Sequence, residues 1–276
     1  METAQKPIGI FDSGIGGLTV VKKIIEYLPN ENIVYFGDTA RVPYGSKSND
    51  TIIEYSIQDT EFLLTHDVKA IVVACNTASS MAIPALKEKF NLPIISMIEP
   101  GSQKAAEKTK SGKIGVIGTR STISNKAYSK QLKLINREFE ILERACPLFV
   151  PLAEEGWIDH PATFQIASEY LTELKYEGVD TLILGCTHYP ILRKTIQKVM
   201  GESVQLIDSG VAAAYNVQEI LIRKNLLNTS DSSPFRKFYV SDIPSQFKNL
   251  AELFLGMPVE KVTKVDLEEF FKKRQG

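Results

Sequence analysis

The sequence predicts an α/β protein of two pseudo-symmetric α/β lobes with mainly parallel sheets and an active site in the cleft between them. Two observations support this fold class. Short apolar runs rich in β-branched residues alternate with amphipathic stretches, which is typical of parallel strands covered by helices on both faces. Motifs of the first half of the chain also return in the second half, in the same order.

Hydrophobic periodicity locates the elements of the first half. Strands are predicted at residues 8–11, 33–36, 71–74 and 92–98. Apolar residues recur at helical spacing from Leu18 to Leu28, which predicts a helix between the first two strands. Thr51 and Glu54 form a capping-box pattern, which predicts the start of a helix that runs to about His66.

Three segments of the first half have counterparts later in the chain. Residues 8–13 match residues 114–119, residues 71–77 match residues 182–188, and residues 98–101 match residues 207–210. The nearly constant offset predicts two copies of one α/β unit, facing each other across a cleft with approximate two-fold symmetry. The chain after Asp208 must then supply additional elements.

Composition and charge restrict the classes of function. The chain has 276 residues, 43% of them hydrophobic and 24% charged, and a net charge of −1. This balance argues against nucleic acid or a membrane surface as the main partner. The N-terminal residues lack the apolar core of a secretory signal, and no apolar run has the ~18 residues that a membrane span needs. We therefore expect a cytoplasmic protein with free thiols and, given only three histidines, no metal site.

Cys75 and Cys186 occupy matching positions in the two copies. Each ends an apolar strand and precedes small polar residues, and ligands of open α/β sheets bind at the carboxyl ends of the strands. Thiols from two facing lobes would approach a substrate from opposite sides, which suits removal of a proton from one face of a carbon and delivery to the other. A helix predicted after each cysteine would tune its pKa toward neutrality.

Other interpretations of the cysteines stay open. A cysteine that ends an apolar strand is more often an inert small hydrophobe, and only the matched positions favour catalysis here. Cys146 has no counterpart, and we interpret it as structural. A redox disulfide between Cys75 and Cys186 is an alternative, although the pair lacks the C-x-x-C spacing of such sites.

Polar residues beside the two thiols predict a site for a small anionic ligand. Hydroxyl, amide and backbone N–H groups that could hold carboxylates come from Ser13, Asn76, Thr77 and Thr187. Asp12 could receive an ammonium group or assist a thiol as a base; alternatively, it only caps the helix that follows. His188 could stabilise a Cys186 thiolate or shuttle a proton, and its alternative is a core histidine.

Two loops are harder to interpret. The loop at residues 37–45 is too irregular for a simple turn, and Tyr44 and Gly45 could present N–H groups to a carboxylate. The alternative is a tight turn built on Pro43. The loop at residues 11–17 is similar to a dinucleotide loop but lacks the G-x-G-x-x-G register, so it gives little support to nucleotide binding.

Six segments between residues 9 and 190 together resemble the bacterial glutamate racemases of the aspartate/glutamate racemase superfamily. In order, they are GIFDSGIGGLTV, GDTARVPYG, VVACNTASS, IGVIGT, PLAEEG and LGCTHYP. The resemblance implies interconversion of L- and D-glutamate by two thiols without a cofactor or metal. It also implies a cytoplasmic enzyme, commonly a homodimer, that supplies D-glutamate for peptidoglycan.

The resemblance further implies roles for single residues and a division of the chain. Cys75 and Cys186 would be the two acid/base groups, with Asp12 and Ser13 beside the substrate's amino end and the first thiol. The pocket would be lined by Tyr44, Gly45, Asn76, Thr77, Thr187 and His188. It leaves the roles of Glu154, Glu155, Thr119 and Thr122 open. Residues 1–98 and 209–276 would form the first lobe and residues 99–208 the second.

Three rival functions remain at this point. An aspartate or hydantoin racemase of the same superfamily would differ only in the depth of its pocket. A cysteine hydrolase would need one thiol and an acyl intermediate. A catalytically silent amino-acid-binding protein would need neither thiol, so the presence of both argues against it.

Overall fold

The computed structural model describes residues 3–230, 232–243, 247–259 and 261–275. Its strands are β1 (Ile8–Asp12), β2 (Ile33–Gly37), β3 (Ala70–Val73), β4 (Ile94–Ile95), β5 (Lys113–Gly118), β6 (Glu140–Ala145), β7 (Thr181–Gly185), β8 (Gln205–Asp208), β9 (Arg236–Val240) and β10 (Val262–Lys264). They form two sheets in which every described pairing is parallel. The predicted α/β class with parallel sheets is therefore confirmed.

The first sheet has the strand order β10-β9-β2-β1-β3-β4. In its centre, Ile8 of β1 pairs with Ile33 of β2 and with Ala70 of β3. The three central strands are fully buried, as expected for parallel strands covered on both faces. Because they run in one direction, Asp12, Gly37 and Val73 end at the same edge of the sheet.

The second sheet has the order β6-β5-β7-β8 and repeats the arrangement on a smaller scale. Gly118 at the end of β5 pairs with Gly185 at the end of β7, and Leu184 pairs with Asp208 of β8. The carboxyl ends of these strands again share one edge, so the residue after β7, Cys186, emerges there.

Helices cover both sheets. They are α1 (Leu18–Tyr27), α2 (Asn49–Leu64), α3 (Asn76–Met81), α4 (Ile83–Lys89), α5 (Ile98–Lys108), α6 (Arg120–Asn125), α7 (Ala127–Ile135), α8 (Phe149–Glu154), α9 (Pro161–Tyr176), α10 (Arg193–Met200), α11 (Ser209–Arg223), α12 (Phe247–Leu255) and α13 (Leu267–Gln275). Short 3₁₀ turns lie at Thr3–Gln5, Tyr44–Ser46 and Tyr189–Leu192. Among the described residues, no helix is both long and apolar enough to cross a membrane.

One buried core joins the two sheets. It extends from Ile8 and Ile10 of the first sheet to Leu182 and Leu184 of the second. Helix α11 packs on α1 and on α5, which places it at the junction. After α11, β9 and β10 join the first sheet beside β2. The division at residues 98 and 208 stays a prediction, and part of it concerns residues outside the described ranges.

Three local predictions are corrected by the structure. Helix α2 begins at Asn49, because Ser48 is the N-cap residue and its Oγ accepts from the Thr51 N–H; Thr51 lies within the first turn. The strand predicted at residues 92–98 is only the two-residue β4, since Ile98 already belongs to α5. Cys186 is followed by a turn and a 3₁₀ turn, and the α-helix begins only at Arg193.

Candidate active site

A cavity of about 380 Å³ lies where the carboxyl edges of the two sheets meet. Its wall contains a free thiol from each sheet, Cys75 after β3 and Cys186 after β7. The other lining residues are Ser13, Gly14, Val42, Pro43, Tyr44, Gly45, Ser46, Asn76, Thr77, Thr119, Arg120, Pro147, Val150, Pro151, Glu154, Thr187 and His188. The volume suits a small molecule, and both thiols would touch it.

The first thiol lies among groups from the end of β1. Cys75 is 5% exposed, and its Sγ lies 3.5 Å from the hydroxyl oxygen of Ser13. Burial and the nearby charge of Asp12 raise the pKa of Cys75 to about 12, although the Ala78 N–H and the Ser13 hydroxyl act in the opposite direction. The prediction that its thiol would be tuned toward neutrality is therefore wrong for Cys75: desolvation outweighs the N–H groups that follow the strand.

Asp12 lies behind this thiol and outside the lining of the cavity. It is completely buried, and its Oδ2 accepts from the Gly14 N–H at 3.0 Å. Its Oδ1 has no hydrogen-bond partner among the described residues. Burial raises the pKa of Asp12, while the charge of His188 counteracts it. Because Asp12 does not line the cavity, its position favours assistance to a thiol over direct contact with the substrate's ammonium group.

The second thiol belongs to a chain of three groups. His188 Nδ1 lies 3.8 Å from the Cys186 sulfur, and His188 Nε2 lies 2.9 Å from Oε1 of Glu154. Burial disfavours the charged imidazole, but the contacts with Cys186 and Glu154 outweigh burial and raise the pKa of His188 to about 10. At neutral pH, an imidazolium is therefore placed to exchange a proton with Cys186 or to balance a thiolate there.

A glycine lets the loop after β1, in the first half of the chain, approach the group formed by Cys186, His188 and Glu154. A Cβ on Gly16 would lie 2.3 Å from Thr187 Oγ1 and 2.5 Å from two atoms of the His188 ring. The Thr19 hydroxyl, at the start of α1, lies 2.9 Å from the Thr187 carbonyl oxygen. The close approach requires glycine at position 16, and it fixes His188 against the first lobe.

Hydroxyl and amide groups connect the two sides of the cavity. Thr77 Oγ1 lies 2.9 Å from Thr119 Oγ1 and 3.2 Å from Thr122 Oγ1. The Tyr128 hydroxyl donates to Asn76 Oδ1 at 2.6 Å. The side chain of Asn76 is thus held by the second lobe, while Thr77 and Thr119 form a hydroxyl pair in the cavity wall.

The 3₁₀ turn at Tyr44–Ser46 forms another part of the wall. The Ser121 hydroxyl, on α6, donates to the Gly45 carbonyl at 2.7 Å. A Cβ on Gly45 would lie 2.9 Å from Thr119 Cβ. The turn belongs to the first half of the chain but is held against Thr119 and α6 of the second half.

The structure brings nearly all of the predicted site residues together. The cavity wall contains Ser13, Tyr44, Gly45, Cys75, Asn76, Thr77, Cys186, Thr187 and His188, and only Asp12 lies behind it. Of the residues whose roles were left open, Thr119 and Glu154 line the cavity, whereas Glu155 is exposed. Cys146 is buried outside the lining, with its carbonyl oxygen accepting from the Tyr189 hydroxyl at 2.8 Å.

Several lining residues were missed by sequence reasoning. Arg120 is the only arginine or lysine among the described lining residues, and Val42, Pro147, Val150 and Pro151 supply apolar surface. Arg120 directly follows Thr119, the residue that matches Ser13 in the internal repeat, so the repeat could have indicated its position. The apolar residues lie in loops and in α8, where no local pattern marks a cavity wall.

Comparison with known proteins identifies similar chains. The family model described as Asp/Glu/hydantoin racemase matches residues 8–217. A glutamate racemase of Geobacter metallireducens is 51% identical over 263 residues, which is 95% of this chain and 97% of that protein. A glutamate racemase of Chlorobaculum tepidum is 49% identical over 266 residues, with 96% and 98% covered.

A solved structure of a glutamate racemase has the same fold as this chain. The crystal structure of glutamate racemase from Francisella tularensis subsp. tularensis SCHU S4 in complex with D-glutamate has a TM-score of 0.90 at 40% identity, and the match covers 96% of this chain and 99% of that one. The two-lobed architecture is therefore shared with that protein.

Proposed function

The chain belongs to the Asp/Glu/hydantoin racemase family, and from this premise we propose that it interconverts L-glutamate and D-glutamate without a cofactor. The observation that carries the proposal is the pair of free thiols, one from the edge of each sheet, in the wall of a single cavity. Curated relatives about half identical over nearly the whole chain, all glutamate racemases, favour glutamate over aspartate or a hydantoin.

The reaction needs one base and one acid on opposite faces of the α-carbon. In one direction, a Cys186 thiolate takes the α-proton: an S–H bond forms, the C–H bond breaks and its electron pair stays on carbon. The Cys75 thiol then delivers its proton to the other face and becomes the thiolate. The pKa of about 12 keeps Cys75 protonated at neutral pH, as an acid requires. The reverse reaction exchanges the two roles.

His188 and Asp12 support the two thiols from behind. The imidazolium of His188, held by Glu154, balances the negative charge at Cys186 and can return a proton to it. We assign to Asp12, whose charge acts on Cys75, the role of drawing the proton of this thiol when Cys75 must act as the base. Each thiol thus has its own partner for proton transfer.

The carbanion formed between the two steps must be stabilised by the site itself. We assign this role to the lining residues Gly45, Asn76, Thr77 and Thr187, whose backbone N–H groups would donate to the substrate's carboxylates, with the hydroxyls of Thr77 and Thr119 beside them. When the substrate fills the cavity of about 380 Å³ and displaces its water, such fixed donors stabilise developing charge more strongly than they would in solution.

A cysteine hydrolase is the second candidate, because Cys186, His188 and Glu154 also have the order of a nucleophile, a base and an orienting carboxylate. A hydrolase has no need of Cys75 in the same cavity, so the two-thiol wall favours the racemase. Trapping of an acyl group on Cys186 that persists in Cys75→Ala would favour the hydrolase.

The cellular setting is part of the proposal. D-glutamate made by this enzyme would enter peptidoglycan synthesis in the cytoplasm, and the enzyme would act as a homodimer. The similarity to glutamate racemases supports the first two points. Sedimentation of the purified protein at several concentrations tests the third, with a monomer at all concentrations contradicting it.

The test of function follows the circular dichroism of L-glutamate with purified, reduced protein and no added cofactor. A parallel sample contains L-aspartate. We expect the glutamate signal to decay to zero and the aspartate signal to persist. A steady glutamate signal from folded, reduced protein would rule out the proposed function. Decay of the aspartate signal alone would show that the substrate is aspartate.

A further inference from the structure

A buried charged cluster lies beneath the 3₁₀ turn that carries Tyr44 and Gly45. It consists of Asp38, Arg41 and Asp59, and none of the three lines the cavity. The side chains of Asp38 and Asp59 are 0% exposed, and that of Arg41 is 19% exposed. Burying two carboxylates is costly unless they are well paired, so the cluster depends on specific contacts among its members.

Arg41 holds the two carboxylates together. Its Nε donates to Asp38 Oδ2 at 2.6 Å, and its Nη2 donates to Asp59 Oδ1 at 2.8 Å. Its Nη1 donates to the side-chain oxygen of Gln58. Asp38 also accepts from the Ser241 hydroxyl at 2.9 Å, beyond the end of β9. The guanidinium fork therefore fixes the loop after β2 to α2, and Asp38 connects both to the segment after β9.

The hydroxyl of Tyr44 connects this cluster to the cavity. It donates to Asp38 Oδ2 at 2.6 Å and lies 3.0 Å from Asp59 Oδ2. Burial and the charge of Asp38 raise the pKa of Asp59 well above its usual range. The single hydroxyl proton of Tyr44 is thus shared by two acceptors, the carboxylates of Asp38 and Asp59.

The backbone that follows Tyr44 has little freedom. Gly45 is the next residue, its carbonyl accepts from Ser121 at 2.7 Å, and a Cβ in its place would lie 2.9 Å from Thr119. The turn is thus held from the cavity side by Ser121 and Thr119, and from the other side by the Tyr44 hydroxyl. A shift of Tyr44 would be passed directly to Gly45.

We propose that Asp38, Arg41 and Asp59 are positioning residues that set the place of the Gly45 backbone for the substrate, acting through the Tyr44 hydroxyl. The inference rests on the proposed racemase function, in which Gly45 donates to a carboxylate of glutamate. An N–H that holds the substrate in both the ground state and the transition state affects KM more than kcat.

The test compares Tyr44→Phe with Tyr55→Phe. Tyr55 is the matched control: its ring lies 5.7 Å from that of Tyr44 and 4.0 Å from the Arg41 guanidinium carbon, but its hydroxyl has no hydrogen bond within the described part of the chain. We expect Tyr44→Phe to raise KM for glutamate about tenfold, with kcat changed less than about threefold. Tyr55→Phe is expected to leave both constants unchanged.

Two further variants keep the test decisive if Tyr44→Phe folds poorly. Arg41→Lys and Asp59→Asn each keep part of the pairing, so we expect KM values that lie between those of wild type and Tyr44→Phe. Unfolding temperatures are measured in parallel. A merely structural cluster would lower the unfolding temperature and leave KM of the folded enzyme unchanged, which would overturn the proposal.

Binding of glutamate, measured by calorimetry, separates this inference from the proposed function. If the wild type is active and Tyr44→Phe, Arg41→Lys and Asp59→Asn all keep its KM, only the positioning inference is contradicted. A wild type that binds glutamate without racemising it contradicts the proposed function, and the dissociation constants of the variants then test the cluster. Absence of both binding and activity contradicts both.

Discussion

His188 lies between a thiol and a carboxylate: its Nε2 is 2.9 Å from Glu154 and its Nδ1 is 3.8 Å from Cys186. The carboxylate is partly open to solvent, with 41% of its side chain exposed, whereas the imidazole is 8% exposed. The pair therefore links solvent to a buried thiol. The contacts of His188 with Cys186 and with Glu154 both favour the charged imidazole, so Glu154 helps to set the pH range in which Cys186 has a cationic neighbour.

Glu154→Gln tests this dependence. The pKa of His188 is raised from an ordinary 6.5 to about 10, so its stabilising contribution is complete below pH 6.5, declines as the pH rises, and is lost above about 10. We expect Glu154→Gln to lower the free energy of unfolding by about 1 kcal/mol at pH 6, discounted for the exposure of Glu154, and by much less at pH 10. Urea unfolding across this range measures it.

The same variant is expected to lower kcat about tenfold and to move the alkaline limit of activity to lower pH. Glu155→Gln is the matched control, because Glu155 is the adjacent carboxylate and is exposed outside the cavity. Equal effects of the two substitutions would show that general surface charge, and not the contact with His188, sets the pH dependence.

Replacement of either cavity thiol by alanine is expected to reduce racemisation by at least about a thousandfold, because the acid or the base of the reaction is then missing. Cys146→Ala provides the control, since Cys146 is buried outside the cavity. Circular dichroism of either glutamate enantiomer follows the reaction. Retained racemisation in Cys186→Ala would refute the two-thiol mechanism.

Asp12→Asn removes a charge that raises the pKa of Cys75. We expect Cys75 to react faster with iodoacetamide at a fixed pH of about 8, because more of it is then thiolate. Racemisation is nevertheless expected to fall by about a hundredfold, since the Cys75 proton loses its acceptor. Mass spectrometry of the labelled peptide reports on Cys75 alone. Unchanged labelling would show that Asp12 does not act on this thiol.

Gly16→Ala places a methyl group 2.3 Å from Thr187 Oγ1 and 2.5 Å from the His188 ring. Because this distance is far below van der Waals contact, the loop or His188 must move. We expect kcat to fall at least about tenfold, with the free energy of unfolding lowered by about 1–3 kcal/mol. Activity equal to that of wild type, in protein that folds normally, would contradict the tight contact between the loop and His188.

Ser121→Ala removes the hydrogen bond that crosses the cleft to the Gly45 carbonyl. KM for glutamate is expected to rise about fivefold, because the turn loses one of its fixed contacts. Ser124→Ala is the control on the same helix: Ser124 is exposed and donates only to the Ser121 carbonyl. If both variants have the KM of wild type, this hydrogen bond does not contribute to substrate binding.

Local patterns were sufficient to predict the central strands and the residues that end them. A run such as Ile71–Ala74 is buried on both faces, and the residue after it must emerge at the carboxyl edge of the sheet. The place of Cys75 and of Cys186 followed from this rule. Local patterns failed where two nearby residues could each cap the same helix, as Ser48 and Thr51 could at the start of α2.

The sequence by itself determined that Cys75 and Cys186 emerge at equivalent strand ends, because strand periodicity and the internal repeat place them there. Only the tertiary structure decided how the two thiols differ. Cys75 is desolvated beside the Asp12 carboxylate, whereas Cys186 faces a protonated His188. It also decided that Asp38, Arg41 and Asp59 meet beneath Tyr44. Burial and charge interactions depend on distances between atoms of remote segments, which no local pattern contains.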